Sequence, residues 1–432
     1  MPSRKVFVRI GAAGVPIGEL IVETDGRRET SIFTYDRSWI ERENAFAIAP
    51  GMPLSLAPIY TSQADGSSLP APIADGTPDS WGRAIIKVAL GNRVTSELDY
   101  LIESDDFLRS GALRYFDGAG PDATALAPPR EGGRVSVPRL LDLERVVTEA
   151  RAFEADPIHY RENRAKLLGG ELLRNAVGSL GGARPKVNAR DEYGSLWIVK
   201  LPKQDDQYAV CRAEVMALHL AGLVGITVCE ARVLPGGRHF PIAAVKRFDR
   251  DAAGARIPFI SAQTFMELPG AEPGNYVDVA FRMHAWSSDP DADMRELYLR
   301  VAFNVLIQNT DDHLRNLGFL YRGSGKWGLS PAYDINPVSE HGTSLKTAIS
   351  EDHGTALDVD ALVEVAPYFG IDADDGRSLV VEMATTIRKA WRGVAAQVGM
   401  TASDVKAVAE AMDSPQVDRA IDLGRTIVPG SV

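Results

Sequence analysis

The stretch that most constrains this chain is Asn309-Thr310-Asp311-Asp312-His313-Leu314-Arg315-Asn316, with Pro331-Ala332-Tyr333-Asp334-Ile335 following it. Between them, Leu317–Tyr321 and Lys326–Leu329 read as two strands around a Gly323-Ser324-Gly325 turn. The order is an Asp-x4-Asn loop at a helix end, a β-hairpin, and a second acid at the hairpin's exit. Phosphoryl transfer from ATP needs such groups together: one carboxylate orients the acceptor hydroxyl, while an Asn and another carboxylate hold Mg²⁺ on the phosphates. The same spacing marks the catalytic loop of protein kinases. Asp311 is the candidate base, and Asn316 and Asp334 are candidate ligands for Mg²⁺, which suits hard oxygen donors. Asp and Asn also cap and turn helix ends, so the loop alone leaves a structural reading open. The hairpin and second acid favour chemistry.

Earlier segments fall in kinase order. Gly178-Ser179-Leu180-Gly181-Gly182-Ala183-Arg184-Pro185-Lys186 joins small residues, which let backbone N–H groups approach phosphate oxygens, to basic ones that add charge. It is neither GxxxxGK[ST] nor GxGxxG, and a plain turn remains an alternative. Trp197-Ile198-Val199-Lys200-Leu201 ends an apolar strand on a lysine, which is costly to bury alone. Glu214, early in the next predicted helix, is the expected partner, in the manner of the strand-Lys to helix-Glu pair of kinases. A lysine snorkelling from a strand edge is the alternative.

At 432 residues the chain exceeds a usual single core. The expected divisions are 1–120, a small α+β module; 121–150, a linker and connecting helix; 151–290, a nucleotide-binding region; and 291–432, a helical catalytic part. In the first, Val6, Val8 and Ile10 alternate as in a strand, and Asp79-Ser80-Trp81 opens a capped helix. Helices are expected over Leu98–Leu108, Pro138–Phe153, Glu171–Gly178, Arg212–Val224, Met294–Gln308, Thr355–Phe369, Gly376–Val398 and Thr401–Met412, and hairpins over Lys186–Leu201 and Ala231–Val245. The net charge of −11 argues against a surface that grips nucleic acid by itself. Cys211 and Cys229, without a CxxC pair, give no disulfide framework or zinc site and read as buried thiols. Met1–Arg9 builds no apolar signal region, and no window approaches a membrane span, so the expected location is cytoplasmic.

Taken together, the segments resemble the HipA family of bacterial toxin kinases. The resemblance is carried by Ser179–Lys186, Val199-Lys200-Leu201-Pro202, Ala213-Glu214, Val245-Lys246-Arg247-Phe248-Asp249-Arg250, Thr310–His313 through Asn316, and Tyr333-Asp334-Ile335. Gly18-Glu19-Leu20, Pro78-Asp79-Ser80 and Gly111-Ala112-Leu113 extend it to the N-terminal module. The resemblance implies an α+β, protein-kinase-like fold with a mixed α/β N-terminal part and an all-helical C-terminal lobe. It implies an ATP- and Mg²⁺-dependent serine/threonine kinase that phosphorylates a translation component, typically an aminoacyl-tRNA synthetase. A HipB-like helix-turn-helix antitoxin would neutralise it and carry most DNA contacts. Position by position, Gly181, Gly182, Ala183, Arg184 and Lys186 would form the phosphate loop, Lys200 would hold ATP, and Lys246 and Phe248 would line the adenine region. His313, Asn316, Tyr333 and Asp334 would complete the ATP:Mg²⁺ site, and Ser179 would be the autophosphorylated serine. The loop reads Ala-Arg-Pro-Lys where a well-known member has Ala-Gln-Glu-Lys. Lys246 stands in place of a glutamate, and Asp312 in place of a glycine.

Two rival readings differ in kind. A catalytically inactive, kinase-like module could act only by assembling with an antitoxin on DNA; the retained Lys200, Asp311, Asn316 and Asp334 speak against it. A metal-dependent hydrolase built on Asp311, Asp312 and His313 would need a further ligand cluster that the sequence does not offer.

Overall fold

A computed structural model describes residues 3–25, 28–127, 137–157, 160, 184–235, 241–270, 272–337 and 344–425. Two compact units emerge. The first draws on the described residues of 1–205, 246–272 and 319–326, and the second on those of 206–245, 273–318 and 327–432.

The first unit opens with an antiparallel sheet of five strands: β1 (Ser3–Ile10), β2 (Val15–Asp25), β3 (Arg28–Tyr35), β4 (Ile59–Ser62) and β5 (Leu113–Phe116), in the order β4-β3-β2-β1-β5. Val6 and Val8 of β1, Leu20 and Val22 of β2 and Phe33 and Tyr35 of β3 are buried, the period-two pattern of a sheet with one face on a core. Helix Ser80–Leu90 begins where Asp79 accepts a hydrogen bond from the Gly82 N–H at 2.7 Å. The next helix, Glu97–Glu103, has a capping box of Ser96 and Asp99 and stops short of the expected Leu108. Buried Arg109 is the reason: its guanidinium collects the carbonyls of Leu101, Ile102 and Ser104 at 2.8–3.3 Å, satisfying acceptors that a helix end leaves over. Strands β6 (Lys186–Arg190) and β7 (Leu196–Lys200) pair antiparallel, with Lys186 opposite Lys200.

The second unit is mainly helical. Helix Pro290–Leu306 starts on an Asp289 cap with proline in its first turn, and it is buried from Leu297 through Leu306. Helix Ala373–Gln397 buries Val380, Met383, Ala384, Ile387, Trp391 and Val394 at three- and four-residue spacing, and packs against Pro290–Leu306. Helix Val359–Val365 starts on the Asp358 cap, later than the expected Thr355, and Ala366–Phe369 continues as a tighter turn. Helices Tyr276–Trp286 and Pro415–Arg425 also belong to this unit, neither of them foreseen from the sequence. Cys211 and Cys229 are buried free thiols. Among the described residues no helix is long and apolar enough to cross a membrane.

Candidate active site

In the second unit, helix Pro290–Leu306 ends at the capping residue Ile307, and Gln308 follows at φ +54°, turning the chain sharply into the Asp311 loop. The turn is secured by side-chain amides. Asn309 donates to the Asn304 side chain at 2.9 Å and accepts from the Asn336 backbone N–H at 3.3 Å. Asn316 closes the loop by donating from Nδ2 to the Asp311 carbonyl at 2.9 Å. That donation orients the amide and leaves its oxygen available as a hard ligand. Strands Gly318–Gly323 and Lys326–Leu329 come next, and Asp334 lies beyond them at φ +56°. A non-glycine residue held there stores backbone strain, which clusters at functional sites. Asn336 Nδ2 donates to Asp334 Oδ1 at 2.9 Å, and the Tyr333 hydroxyl donates to the Arg315 carbonyl at 3.0 Å.

The two adjacent acids separate cleanly. The Asp311 carboxylate is about half exposed and ion-paired with Lys346. Asp312 is buried, and its carboxylate accepts from the Tyr276 hydroxyl at 2.7 Å and the Lys346 backbone N–H at 2.8 Å. Burial lifts the Asp312 carboxyl to about 6, against the hydrogen bond from Tyr276. A carboxyl with a raised folded value favours folding below its unfolded value, near 4. That contribution is lost as pH rises through about 6. Wild type should therefore lose up to roughly 3 kcal/mol more than Asp312→Asn between pH 4 and 7. Urea unfolding of both proteins across that range reads the difference, and parallel curves would refute the buried titration.

His313 ties the acids together electrostatically. Burial lowers its pKa, Asp311 opposes that, Lys346 adds to it, and Asp334 opposes it, so the imidazole feels both carboxylates and the lysine. Its Nδ1 is buried with no hydrogen-bond partner among the described residues. The donor set fits Mg²⁺: one carboxylate and one amide oxygen, with room for phosphate oxygens, is how that ion is commonly held. Among the described residues no three or more His, Cys, Asp or Glu gather as a metal cage.

The first unit contains the remaining described candidates apart from Glu214. Lys186 and Lys200 are both buried on the paired strands. Lys186 Nζ lies 3.5 Å from Asp79, the cap of helix Ser80–Leu90. Burial raises the Asp79 pKa and Lys186 opposes the rise. Arg184 donates to the Leu201 carbonyl at 3.2 Å. Lys246 sits over the Trp197 ring at 5.9 Å, within cation–π range. Phe248 packs against Phe259, ring centroids 5.7 Å apart. The alternate residues Arg247 and Asp249 face the opposite way, into the Leu108–Gly111 loop. Glu214 is buried in helix Val210–Leu223 of the second unit. Ser179, Gly181, Gly182 and Ala183 lie outside the described residues, as does the predicted Glu171–Gly178 helix.

Sequence reasoning missed Lys346, Asn304, Asn336 and Tyr276. Only Tyr276 carried a signal: with Val279, Ala280 and Met283 it forms a helical apolar stripe behind an Asn275 cap.

Two family models match: the HipA N-terminal domain over residues 8–108 and the HipA-like C-terminal domain over residues 178–391. Over its whole length the chain is similar in fold to HipA in a Shewanella oneidensis complex of HipA, HipB and operator DNA. That match has a TM-score of 0.66 and 16% identity, and covers 99% of this chain and 100% of the other. A Helicobacter pylori proinflammatory kinase, CtkA, matches with a TM-score of 0.40 and 16% identity, over 57% of this chain and 92% of that one. A Sinorhizobium fredii protein named as a candidate kinase, Y4dM, is 35% identical over 156 residues. That stretch spans 33% of this chain and 37% of the relative's length.

Proposed function

The chain belongs to the HipA family, and on that premise we propose that it is an ATP- and Mg²⁺-dependent serine/threonine protein kinase, the toxin of a toxin–antitoxin pair. The observation that supports the chemistry best is the hydrogen-bonded tie between the Asp311 loop and the Asp334 segment, where the Tyr333 hydroxyl donates to the Arg315 carbonyl at 3.0 Å and the Asn336 N–H donates to the Asn309 side chain at 3.3 Å. It brings the candidate base and the candidate metal acid into one neighbourhood, beside an Asn316 oriented to offer oxygen. Asp311 accepts the proton of the acceptor hydroxyl as that oxygen attacks the γ-phosphorus and ADP departs. Asn316 and Asp334 would hold Mg²⁺, which would supply charge neutralisation at the phosphates. Arg184, Lys186 and Lys200 are assigned to the phosphates, Lys200 with Glu214 as its partner, and Lys246 and Phe248 to the adenine. Gly181, Gly182 and Ala183 are assigned to the phosphate loop.

The expected acceptor is a translation component, in the first place an aminoacyl-tRNA synthetase. The expected neutralising partner is a HipB-like helix-turn-helix protein, as in the Shewanella complex of HipA, HipB and DNA. With a net charge of −11, this chain leaves most DNA contacts to that partner. Ser179 is assigned as the self-modified residue. A phosphate there adds negative charge beside the loop that receives ATP phosphates, and so turns the enzyme off.

Incubating the full chain with Mg²⁺ and ATP tests this. Calorimetry should register nucleotide uptake, and phosphopeptide mapping should place the label on Ser179. Ser179→Ala should keep activity toward a protein acceptor while losing self-inhibition. No heat and no label would end the kinase reading; label elsewhere would end only the switch.

A further inference from the structure

We propose that Lys346 is a catalytic cation of this site: its ammonium, held ready against Asp311, stabilises the phosphoryl group as that group passes to the acceptor hydroxyl. The proposal rests on the kinase reading above and adds a residue to it.

Lys346 forms an ion pair with Asp311 while both side chains stay more than half exposed. Exposed pairs of this kind contribute little to stability, so stability does not account for the way the lysine is mounted. Its backbone N–H donates to the Asp312 carboxylate at 2.8 Å, and the next residue, Thr347, donates from its hydroxyl to the Asp312 carbonyl at 2.8 Å. One residue further, the Ala348 carbonyl accepts from the Tyr276 N–H at 2.9 Å, and the Tyr276 hydroxyl returns to Asp312. Asp312, Tyr276 and Thr347 are all buried. The backbone around Lys346 is thus stitched to the loop carrying Asp311, and its side chain reaches out of a fixed base. The stitching gives buried Asp312 a task distinct from its neighbour's.

Charge gives the reason for a cation here. The ammonium pairs with Asp311, and the segment carrying Asp334 is hydrogen-bonded to the Asp311 loop through Tyr333 and Asn336, so the cation belongs to a site built on two acids. A site that gathers two carboxylates repels a triphosphate unless positive groups face the transferring phosphoryl. Without nucleotide, Asp311 occupies the ammonium. When Asp311 turns to an acceptor hydroxyl, the ammonium passes to the γ-phosphoryl oxygens. The bond from γ-phosphorus to the bridging oxygen breaks with its electron pair leaving on ADP, and a bond to the acceptor oxygen forms. The hydroxyl proton moves to Asp311 and then to solvent.

The test compares full-length wild type, Lys346→Met, Lys346→Arg and Asp311→Ala. Single-turnover transfer of labelled γ-phosphate to the chain's own serine gives the rate, and calorimetry gives the Kd of Mg·ATP. Lys346→Met should lower the saturated rate about 100-fold while leaving the Kd within about threefold, and Lys346→Arg should recover at least roughly a tenth of the rate. Its thermal midpoint should not move, since every backbone anchor remains. A Lys346→Met rate within about threefold of wild type, with Asp311→Ala inert, removes the lysine from catalysis and leaves the kinase reading intact. An unchanged saturated rate with a much weaker Kd makes Lys346 a binding residue only and overturns the proposal. A wild type that transfers no phosphate despite binding Mg·ATP brings down the kinase reading and this inference with it.

Discussion

Asp311→Ala should reduce phosphoryl transfer on the order of 10³-fold while Mg·ATP still binds within a few-fold of wild type. The substitution is unusually clean. What Asn316 needs from position 311 is the backbone carbonyl, which alanine keeps, so the amide that offers oxygen to the metal stays oriented. The carboxylate it removes is half exposed, and its ion pair with Lys346 is worth at most about 1 kcal/mol to folding. Stability should therefore barely change while the rate collapses. Asp312→Ala is the contrasting control. It strips the acceptor from the Tyr276 hydroxyl and the Lys346 N–H, both in the interior, and should cost about 1–3 kcal/mol of stability. Label transfer by Asp311→Ala at the wild-type rate would show that another group accepts the proton. It would also revive the reading of the chain as an inactive module that works only through a partner.

Much of this site was legible because its signals are local. Asp-x4-Asn is a fixed spacing at the end of a helix whose apolar run announces it, and the Gly-Ser-Gly turn declares the hairpin that carries the chain on to Asp334. The Asp79 cap was equally plain, being a matter of three residues. What stayed hidden depends on contacts between distant segments. Nothing in Ser344-Leu345-Lys346-Thr347 has a period or a motif, and its lysine gains meaning only when Asp312 pins the backbone. Lys186 is assigned to the phosphates from its neighbours in sequence, while its carboxylate neighbour in space, Asp79, comes from the module at the start of the chain and no local pattern announces it. The early end of helix Glu97–Glu103 likewise followed from a side chain beyond it, Arg109, rather than from any breaker inside it. Helix Pro415–Arg425 does carry a local signal: Val417, Ala420 and Leu423 are three residues apart behind a leading proline.

The same contrast governs Val245–Arg250, whose sequence reading looked to one face of the segment while the other carries the energetics. Asp249 lies at the centre of a buried knot in the first unit. It accepts from Arg247 at 2.6 and 2.9 Å, from Arg250 at 2.8 Å and from the Gly111 N–H at 2.8 Å. Those arginines also hold carbonyls of Phe107, Leu108 and Arg109, and Arg247 reaches the Asn188 side chain of β6 at 2.8 Å. Burial pushes the Asp249 carboxyl up, but Arg247 and Arg250 outweigh it and hold it well below the usual carboxylate range. Its contribution is thus present above its unfolded value, near 4, and is lost only as pH falls through the depressed folded value. Asp249→Ala should cost about 3–5 kcal/mol at neutral pH, because two buried guanidiniums lose their counter-charge and an interior N–H loses its acceptor. Asp249→Asn, which can still accept from Gly111, should cost less. Because Lys246 and Phe248 alternate with the knotted residues along one extended segment, loosening the knot should also weaken Mg·ATP binding, if that face meets the adenine. Thermal and urea unfolding of the full chain measure the first effect, with a midpoint drop of roughly 10 °C expected. A loss under about 1 kcal/mol would mean that water or neighbouring carbonyls compensate the arginines, and the knot would be ornament rather than anchor.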